Sequence, residues 1–301
     1  MPEPAPGVSG GNRLPAWFRQ ALPDRAAFER MRGVLRGGGL HTVCEGARCP
    51  NMGQCWNSGT ATFMILGGTC TRACLFCAVA TGTPDPVEED EPRRMAGAVQ
   101  ALGLRYVVIT SVTRDDLEDE GAGHFARTVR ALRDTVPQVK VELLVPDFSA
   151  RADCYGVVAE AGPDVVGHNI ETVRRLSRAL RPQADHDRSL RALALARSLV
   201  GAGLVKSGLM VGLGETDHEV VEALAELKAA GCDIVTIGQY LAPTADGRQR
   251  AVARFVEPGV FEMYRQQGLA LGLAQVVSGP LVRSSFLAEQ VYSRALEGAA
   301  T

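Results

Sequence analysis

The chain has 301 residues, and its 32 Lys and Arg against 34 Asp and Glu give a formal charge of −2. This near balance argues against a nucleic-acid-binding surface, and no apolar stretch approaches the roughly 20 residues of a membrane span. The first residues also lack the charged and apolar regions of a secretory signal. We therefore expect a cytoplasmic protein that binds neither nucleic acid nor a membrane.

The first 60 residues are predicted to form an amino-terminal extension. Residues 1–12 are rich in Pro and Gly, which indicates disorder, and residues 14–22 are expected to lie on the surface of the main domain. A short helix is predicted over residues 28–35, because three glycines follow it. Cysteines then occur at spacings of five and six residues, which do not share one helix face, so a wrapping loop is predicted there.

A repeating pattern of strands and helices follows over residues 61–280. Apolar segments predict six strands, over residues 61–66, 105–111, 139–145, 165–169, 206–211 and 234–239. Helices are predicted over residues 125–136, 190–202, 219–230 and 258–271, and a short extended piece over residues 275–278. Such alternation forms a parallel sheet, and six units fall short of the eight of a closed barrel. The prediction is an α/β fold, a partial (β/α)6 barrel whose mouth is covered by residues 1–60 and 281–301.

Six of the eight cysteines lie in two groups of three. The first triad (Cys44, Cys49 and Cys55) has the spacing C-x4-C-x5-C, and the second triad (Cys70, Cys74 and Cys77) has C-x3-C-x2-C. Three thiolates hold three irons of a four-iron cluster and leave the fourth iron open to another ligand. Zinc is an alternative, but structural zinc takes four ligands and His41 is the only histidine nearby. Disulfides are a second alternative, and we favour iron–sulfur clusters over both.

Three motifs resemble those of a known family. Cys70-Thr-Arg-Ala-Cys74-Leu-Phe-Cys77 resembles the C-x3-C-x2-C signature of radical S-adenosylmethionine enzymes. Residues 41–56 look like the auxiliary-cluster motif of lipoyl synthases, and Arg283-Ser-Ser-Phe-Leu-Ala288 resembles their R-S-S-Y-x-A motif. The similarity to lipoyl synthases runs from about residue 17 to residue 290.

The resemblance implies two [4Fe-4S] clusters and S-adenosylmethionine as cofactors. The second triad would hold the cluster that binds S-adenosylmethionine, and the first triad would hold the auxiliary cluster. The side chains implied to bind S-adenosylmethionine are Phe76, Ser111, Asn169 and Glu171. The last three follow predicted strands, where the active sites of α/β barrels lie, although a lone Asn or Glu there is more often a helix cap.

The resemblance also implies a fourth ligand for the auxiliary cluster. Ser285 would take this part, with Ser284 as the reserve, and Arg283 would help to order the site. Taken alone, the Arg-Ser-Ser sequence would instead indicate a helix N-cap.

The implied reaction is the insertion of sulfur at C6 and C8 of an octanoyl chain linked to a lysine of a carrier protein. A 5′-deoxyadenosyl radical would remove hydrogen from these carbons, which acid–base chemistry cannot do, and the auxiliary cluster would supply the sulfur. The implied partners are an octanoylated lipoyl carrier domain or glycine-cleavage H protein, an electron donor such as flavodoxin or ferredoxin, and an iron–sulfur carrier that rebuilds the auxiliary cluster. Two alternatives stay open: a related sulfur-inserting enzyme with a different acyl or alkyl substrate, and a zinc- or cluster-binding scaffold without turnover.

The chain departs from the family pattern at several positions, which leaves the substrate open. These are Leu75 for proline, Ala78 and Thr113 for aspartate, His186 and Phe286 for tyrosine, and residues 249–251 for a His-Leu-Pro run. Lys206 and Arg181 lie in family-like stretches, but a solvent-exposed position is an equal alternative for both.

Overall fold

Two β-sheets are present in the computed structural model, which describes residues 14–19, 25–47, 49–57, 60–244 and 247–299. The predicted disorder of residues 1–12 lies outside these ranges. In chain order the strands are β1 (His41–Thr42), β2 (Thr62–Ile65), β3 (Thr69–Cys70), β4 (Ala80–Thr81), β5 (Tyr106–Ser111), β6 (Lys140–Leu144), β7 (Val165–Gly167), β8 (Leu204–Val211), β9 (Ile234–Gln239) and β10 (Gln275–Gly279).

The main sheet has the strand order β1-β2-β5-β6-β7-β8-β9-β10. All neighbours from β2 to β10 are parallel, whereas β1 pairs antiparallel with β2. Because β1 and β10 lie at opposite ends of this order, the described strands form an open sheet, and the prediction of a partial barrel is confirmed.

The number of parallel strands differs from the prediction. The piece that was expected to be merely extended is strand β10, which pairs in parallel with β9 from Gln275 opposite Ile234 to Gly279 opposite Gly238. Among the described residues, the main sheet therefore contains seven parallel strands, one more than predicted. The other six strands agree with their predicted positions to within two residues at each end.

Helices connect the strands and follow the last one. They are α1 (Arg25–Gly37), α2 (Val43–Gly46), α3 (Met52–Asn57), α4 (Glu91–Leu102), α5 (Ala122–Thr135), α6 (Ala152–Glu160), α7 (Arg174–Leu180), α8 (His186–Leu199), α9 (Asp217–Ala229), α10 (Pro258–Ala270) and α11 (Ala288–Ala299). Among these described helices, none combines the length and the apolar character required to cross a bilayer.

The two faces of the sheet are covered by different elements. Val107 and Ile109 of β5 belong to the main apolar core, together with buried residues of α4 and α5. Tyr106 and Val108 instead cluster with Ala288 of α11. Since successive side chains of a strand point to opposite faces, α11 packs on the inner face of the open barrel. Val291 and Ala295 of α11 extend this contact to the starts of β7, β8 and β9.

The segment of the first triad is not the continuous loop that was predicted. Cys44 lies on α2, Cys55 lies on α3, and Cys49 lies between these two short helices. The Thr42 side chain accepts a hydrogen bond of 3.2 Å from the backbone N–H of Glu45, which caps α2. The cysteine spacing excluded one shared helix, but it did not exclude two.

The position predicted for residues 14–22 can be judged over residues 14–19. Trp17 is partly exposed, as expected for a surface segment. The ring of Phe18 is buried, however, and packs against Phe255 with 5.7 Å between ring centroids. This aromatic pair holds the segment against the main domain.

Candidate functional site

An open cavity lies at the carboxyl ends of the parallel strands. The three cysteines of the second triad line it, and so do the four side chains implied to bind S-adenosylmethionine, Phe76, Ser111, Asn169 and Glu171. The cavity encloses about 790 Å³ of empty space including its open mouth. Carboxyl ends of parallel strands are where α/β barrels place their active sites, and the structure brings all seven side chains together there.

Backbone N–H groups are directed at the sulfurs of the second triad. The Cys70 sulfur accepts hydrogen bonds from the backbone N–H groups of Arg72 at 3.4 Å and Thr113 at 3.3 Å. The Cys77 sulfur accepts one from the N–H of Val79 at 3.4 Å. Such donors stabilise thiolates and the sulfurs around an iron–sulfur cluster, so this loop suits a cluster.

Burial favours the protonated form of two thiols of the second triad, Cys74 and Cys77. It raises the pKa of Cys74 to about 12, against the opposing effect of the Arg181 guanidinium. It also raises the pKa of Cys77. Because a thiol must lose its proton to bind iron, metal binding here releases protons.

Arg72, between the first two cysteines of this loop, was not identified from the sequence. Its guanidinium contacts Asp115 at 2.7 and 2.8 Å and Asp147 at 2.9 and 3.0 Å. Asp147 is fully buried, and Arg188 contacts it from the other side at 2.9 Å. Arg72 therefore ties the cysteine loop to the residues that follow β5 and β6. The signal in the sequence that could have identified Arg72 is the Asp that follows each of these two strands, Asp115 and Asp147.

The peptide of Leu75 joins the same loop to two further parts of the chain. Its N–H donates to the Leu180 carbonyl at 2.9 Å, and its carbonyl accepts from the N–H of Arg250 at 2.7 Å. The side chain of Gln249 donates to the Cys77 carbonyl at 3.2 Å. The family that the sequence resembles usually has proline at position 75. Proline has no N–H, so it could not donate the bond to the Leu180 carbonyl.

The residues that line the cavity include one buried hydroxyl without a partner among the described residues, that of Ser111. Among the described residues, the Ser111 Oγ has no hydrogen-bond partner although it is buried in the cavity wall. Asn169 donates to Glu171 at 3.1 Å, and Glu171 has a φ of 66°, in the left-handed region. Burial raises the pKa of Glu171, and Arg181 acts in the opposite direction. A bound ammonium group would complement this carboxylate.

Arg181 and Lys206 are both buried, so the solvent-exposed alternatives for them are wrong. Arg181 donates to the Ile170 carbonyl at 2.9 Å and lines the cavity. Lys206 is 3 % exposed and pairs with Glu142 at 2.7 Å, and Glu142 also accepts a bond of 2.6 Å from the Tyr106 hydroxyl. This polar group lies on the inner face of the sheet.

The thiols of the first triad lie close enough to influence one another. Burial, and then the neighbouring Cys44 and Cys49, raise the pKa of Cys55 to about 12. Burial also raises the pKa of Cys44, whereas the backbone N–H of Thr62 and the indole of Trp56 act against this rise. Within the residues that the structure describes, no group of three or more His, Cys, Asp or Glu side chains lies close enough together to hold a single metal ion.

The C-terminal segment (residues 280–287) crosses from the cavity to the first triad. The Asn51 side chain donates to the Leu281 carbonyl at 2.5 Å. Ser284 Oγ accepts from the Asn169 side chain at 2.7 Å, and Ser285 Oγ accepts from the Thr62 hydroxyl at 2.6 Å. The two serines therefore have different surroundings: Ser284 contacts a residue of the cavity, and Ser285 contacts the first residue of β2, the strand that α2 touches.

Arg283 lies beside the first triad. It is half-buried, and its guanidinium donates to the Val282 carbonyl at 2.7 Å. Burial lowers the pKa of Arg283, and the nearby Cys49 acts against this change. Gly238 of β9 makes room for this part of the segment, because a β-carbon there would collide with the Val282 carbonyl oxygen.

Two family models match the chain. The model of the radical SAM superfamily matches residues 64–227, and that of the N-terminal domain of lipoyl synthase matches residues 8–49. Among solved structures, methylornithine synthase has a TM-score of 0.56 and 16% identity over 85% of this chain and 78% of its own. A maturase of the [FeFe]-hydrogenase has a TM-score of 0.53 and 15% identity over 75% of this chain and 57% of its own. These two similarities concern the fold alone.

Lipoyl synthases from other organisms are similar to nearly the whole chain. The lipoyl synthase of Rubrobacter xylanophilus is 50% identical over 96% of this chain and 90% of its own. The lipoyl synthase of Pyrobaculum calidifontis is 53% identical over 93% of this chain and 96% of its own. The chain therefore belongs to the lipoyl synthase family of the radical S-adenosylmethionine superfamily.

Proposed function

We propose that the protein inserts sulfur at C6 and C8 of an octanoyl group that is linked to a lysine of a carrier protein. Family membership makes it a radical S-adenosylmethionine enzyme that forms the lipoyl cofactor. The observation that carries the finer assignment is the pair of contacts made by adjacent serines, Ser284 with Asn169 and Ser285 with Thr62. One short segment thereby connects the cavity of the second triad with the first triad.

In this proposal the second triad and the cavity bind S-adenosylmethionine. Cys70, Cys74 and Cys77 would hold a cluster whose chemistry is one-electron reduction of S-adenosylmethionine, which breaks a C–S bond and releases methionine, and the first triad would hold a cluster that supplies sulfur. Glu171 and Asn169 receive the polar groups of S-adenosylmethionine, and Ser111 supplies its unpaired hydroxyl. Phe76 lies against the cofactor from the cysteine loop. Arg72 keeps that loop fixed through Asp115 and Asp147.

The first triad and Ser285 hold the auxiliary cluster. Serine oxygen is a poorer match to iron–sulfur chemistry than thiolate, so Ser285 can leave more readily than a cysteine. Arg283, near Cys49, places a positive charge beside the first triad. Ser284 is excluded from this role in the proposal because its hydroxyl bonds to Asn169 on the cavity side.

The proposed partners follow from this chemistry. The substrate is an octanoylated lipoyl carrier domain or glycine-cleavage H protein. The electron comes from a protein such as flavodoxin or ferredoxin, and an iron–sulfur carrier rebuilds the auxiliary cluster after sulfur is consumed.

The test uses anaerobically reconstituted full-length protein with dithionite, S-adenosylmethionine and an octanoylated carrier-domain peptide. We expect about eight irons and eight sulfides per chain, a lipoyl product in the mass spectrum, and one 5′-deoxyadenosine for each C–H bond broken. A hexanoylated peptide of the same sequence is the matched control and should yield no lipoyl product, because it lacks C8. Abundant 5′-deoxyadenosine without sulfur in the peptide would favour a different acyl or alkyl substrate, and zinc without sulfide would favour a scaffold.

A further inference from the structure

Thr62 connects the strand beside the first triad to the C-terminal segment. It is the first residue of β2 and is 5 % exposed. Its hydroxyl donates to Ser285 Oγ at 2.6 Å across 223 residues of sequence. The helix that carries Cys44, α2, contacts β2, so Thr62 holds the serine on the strand against which this part of the triad lies.

The strand direction explains why Thr62 can reach Ser285. In the register of β2 and β5, Thr62 lies opposite Val108, which clusters with Ala288 of α11 on the inner face of the sheet. Paired residues of neighbouring strands point to the same face, and Met64, two residues later in β2, lines the cavity of the second triad. The Thr62 hydroxyl therefore lies on the same face of the sheet as the cavity.

We propose that Thr62 is a positioning residue that holds the Ser285 oxygen beside the first triad. The inference rests on the proposed function for the role of Ser285 as an iron ligand. A serine oxygen bound to iron carries negative charge, and a hydrogen bond to a charged acceptor is roughly twice as strong as one between neutral groups. Thr62 therefore orients Ser285 before a cluster binds and stabilises its ionised oxygen afterwards.

Thr62 is not the only anchor of the C-terminal segment. Asn51 holds the Leu281 carbonyl, and Asn169 holds Ser284. Both contacts remain when the Thr62 hydroxyl is removed. Loss of that hydroxyl should consequently release Ser285 while residues 281–284 stay bound, which separates positioning of the ligand from general folding.

The first test is iron release from the auxiliary cluster alone. Cys70, Cys74 and Cys77 are replaced by Ala, so that only the first triad can bind a cluster, and iron loss to a chelator is followed anaerobically. Thr62→Val should speed iron loss about tenfold or more, as expected for a lost hydrogen bond to a charged group. Thr62→Ser should restore the original rate. Thr128→Val is the matched control, because it removes a buried hydroxyl that bonds the His124 carbonyl at 2.8 Å within α5.

A double-mutant cycle identifies the path of the effect. Ser285→Ala should speed iron loss by itself, and adding Thr62→Val should then change the rate little. Equal rates for Thr62→Val and Thr128→Val would refute the inference. Full additivity of Thr62→Val and Ser285→Ala would also refute it, since Thr62 would then act independently of Ser285.

A second readout needs no cluster. In metal-free protein, hydrogen exchange should become faster in Thr62→Val at residues 285–287 and stay unchanged at residues 281–282. Unchanged exchange at residue 285 contradicts the inference. The proposed function is judged separately by the unaltered protein: if it forms the lipoyl product while Thr62→Val retains its iron normally, the function stands and the role of Thr62 falls.

Discussion

The two cysteine triads are assembled in different ways. The second triad spans Cys70 to Cys77, and its sulfurs accept hydrogen bonds from nearby backbone N–H groups and from Thr113 at the end of β5. The first triad spans Cys44 to Cys55 over two short helices. Its remaining neighbour, Ser285, lies 223 residues beyond the threonine that it contacts.

The second triad is therefore held mainly by residues near it in sequence, whereas the first also depends on residues far from it in sequence. The second triad needs a short loop and the strand ends beneath it, whereas the first also needs the C-terminal segment to dock. Damage to that segment should disable the first triad and reach the second site only through the contact of Ser284 with Asn169. The predictions below test this separation, from the largest expected effect to the smallest.

The largest effect is expected at the second triad. Cys70→Ala, Cys74→Ala or Cys77→Ala should abolish cleavage of S-adenosylmethionine, because the electron reaches the cofactor through the cluster that these thiolates hold. The measurement is 5′-deoxyadenosine formed under reducing conditions. Cys232→Ala, which changes a buried cysteine outside both triads, should retain the activity. Formation at the unaltered rate in any of the three variants would overturn the assignment.

The first triad should separate hydrogen removal from sulfur insertion. Cys44→Ala, Cys49→Ala or Cys55→Ala should still form some 5′-deoxyadenosine but no lipoyl product, since the proposed function assigns radical generation and sulfur supply to different clusters. Mass spectrometry of the carrier peptide provides the measurement. A triple variant that still makes lipoyl product would eliminate the sulfur-donor role.

Gly238→Ala should disturb the C-terminal segment alone. The added β-carbon would collide with the Val282 carbonyl oxygen and displace Arg283 and Ser285. A shift of about 1 Å can lower a rate roughly hundredfold, so lipoyl formation should fall by about that factor while 5′-deoxyadenosine is still produced. Gly97→Ala is the control, because a β-carbon there meets no atom within 4 Å. Equal product loss in both variants would contradict the proposed docking.

Arg72→Lys should weaken the second site without removing it. Lysine keeps the charge but cannot contact Asp115 and Asp147 with a planar fork. We expect S-adenosylmethionine to bind about tenfold more weakly, a loss of about 1.4 kcal/mol, measured by equilibrium binding to the reduced protein. Arg93→Lys, at an exposed position of α4, should bind normally. Unchanged affinity in Arg72→Lys would show that the loop is held by its other contacts.

The last prediction concerns stability rather than the reaction, and it rests on the buried His168, which lines the cavity. Burial lowers its pKa from 6.5 to about 4, so the unfolded chain binds more protons between these values and stability falls as pH decreases. Between pH 7 and pH 5 this histidine should cost about 2 kcal/mol of unfolding free energy. Urea denaturation of metal-free protein measures the loss. His168→Gln should reduce it, whereas the exposed His218→Gln should not.

Much of the fold could be predicted because its signals are local. Apolar runs such as residues 106–111 and 234–239 give strands buried on both faces. The strand-end rule also brings Ser111, Asn169 and Glu171 to one cavity with the second triad. Strand β10 was underestimated because a run of only five residues resembles a loop until its pairing with β9 is known.

The errors arise where a partner is distant in sequence. Lys206 reads as a surface residue until Glu142, 64 residues earlier, lies beside it. Arg72 is likewise explained by Asp147, 75 residues later. Helix α11 was not predicted, because its apolar side chains match an inner barrel face that exists only after β5 to β9 have paired. The spacing of residues along the sequence does not reveal contacts between residues that are far apart in the chain.

The position of Ser285 after the whole sheet has a consequence for biosynthesis. A ribosome adds roughly 5–20 residues per second from the amino terminus, so the second triad and strands β2 to β9 leave it before Ser285 is made. A chain interrupted between β9 and the C-terminal segment would contain both cysteine triads but no Ser285 oxygen for the auxiliary cluster. Translation therefore completes the proposed sulfur-supplying site last. Docking of the C-terminal segment then distinguishes a finished chain from an interrupted one.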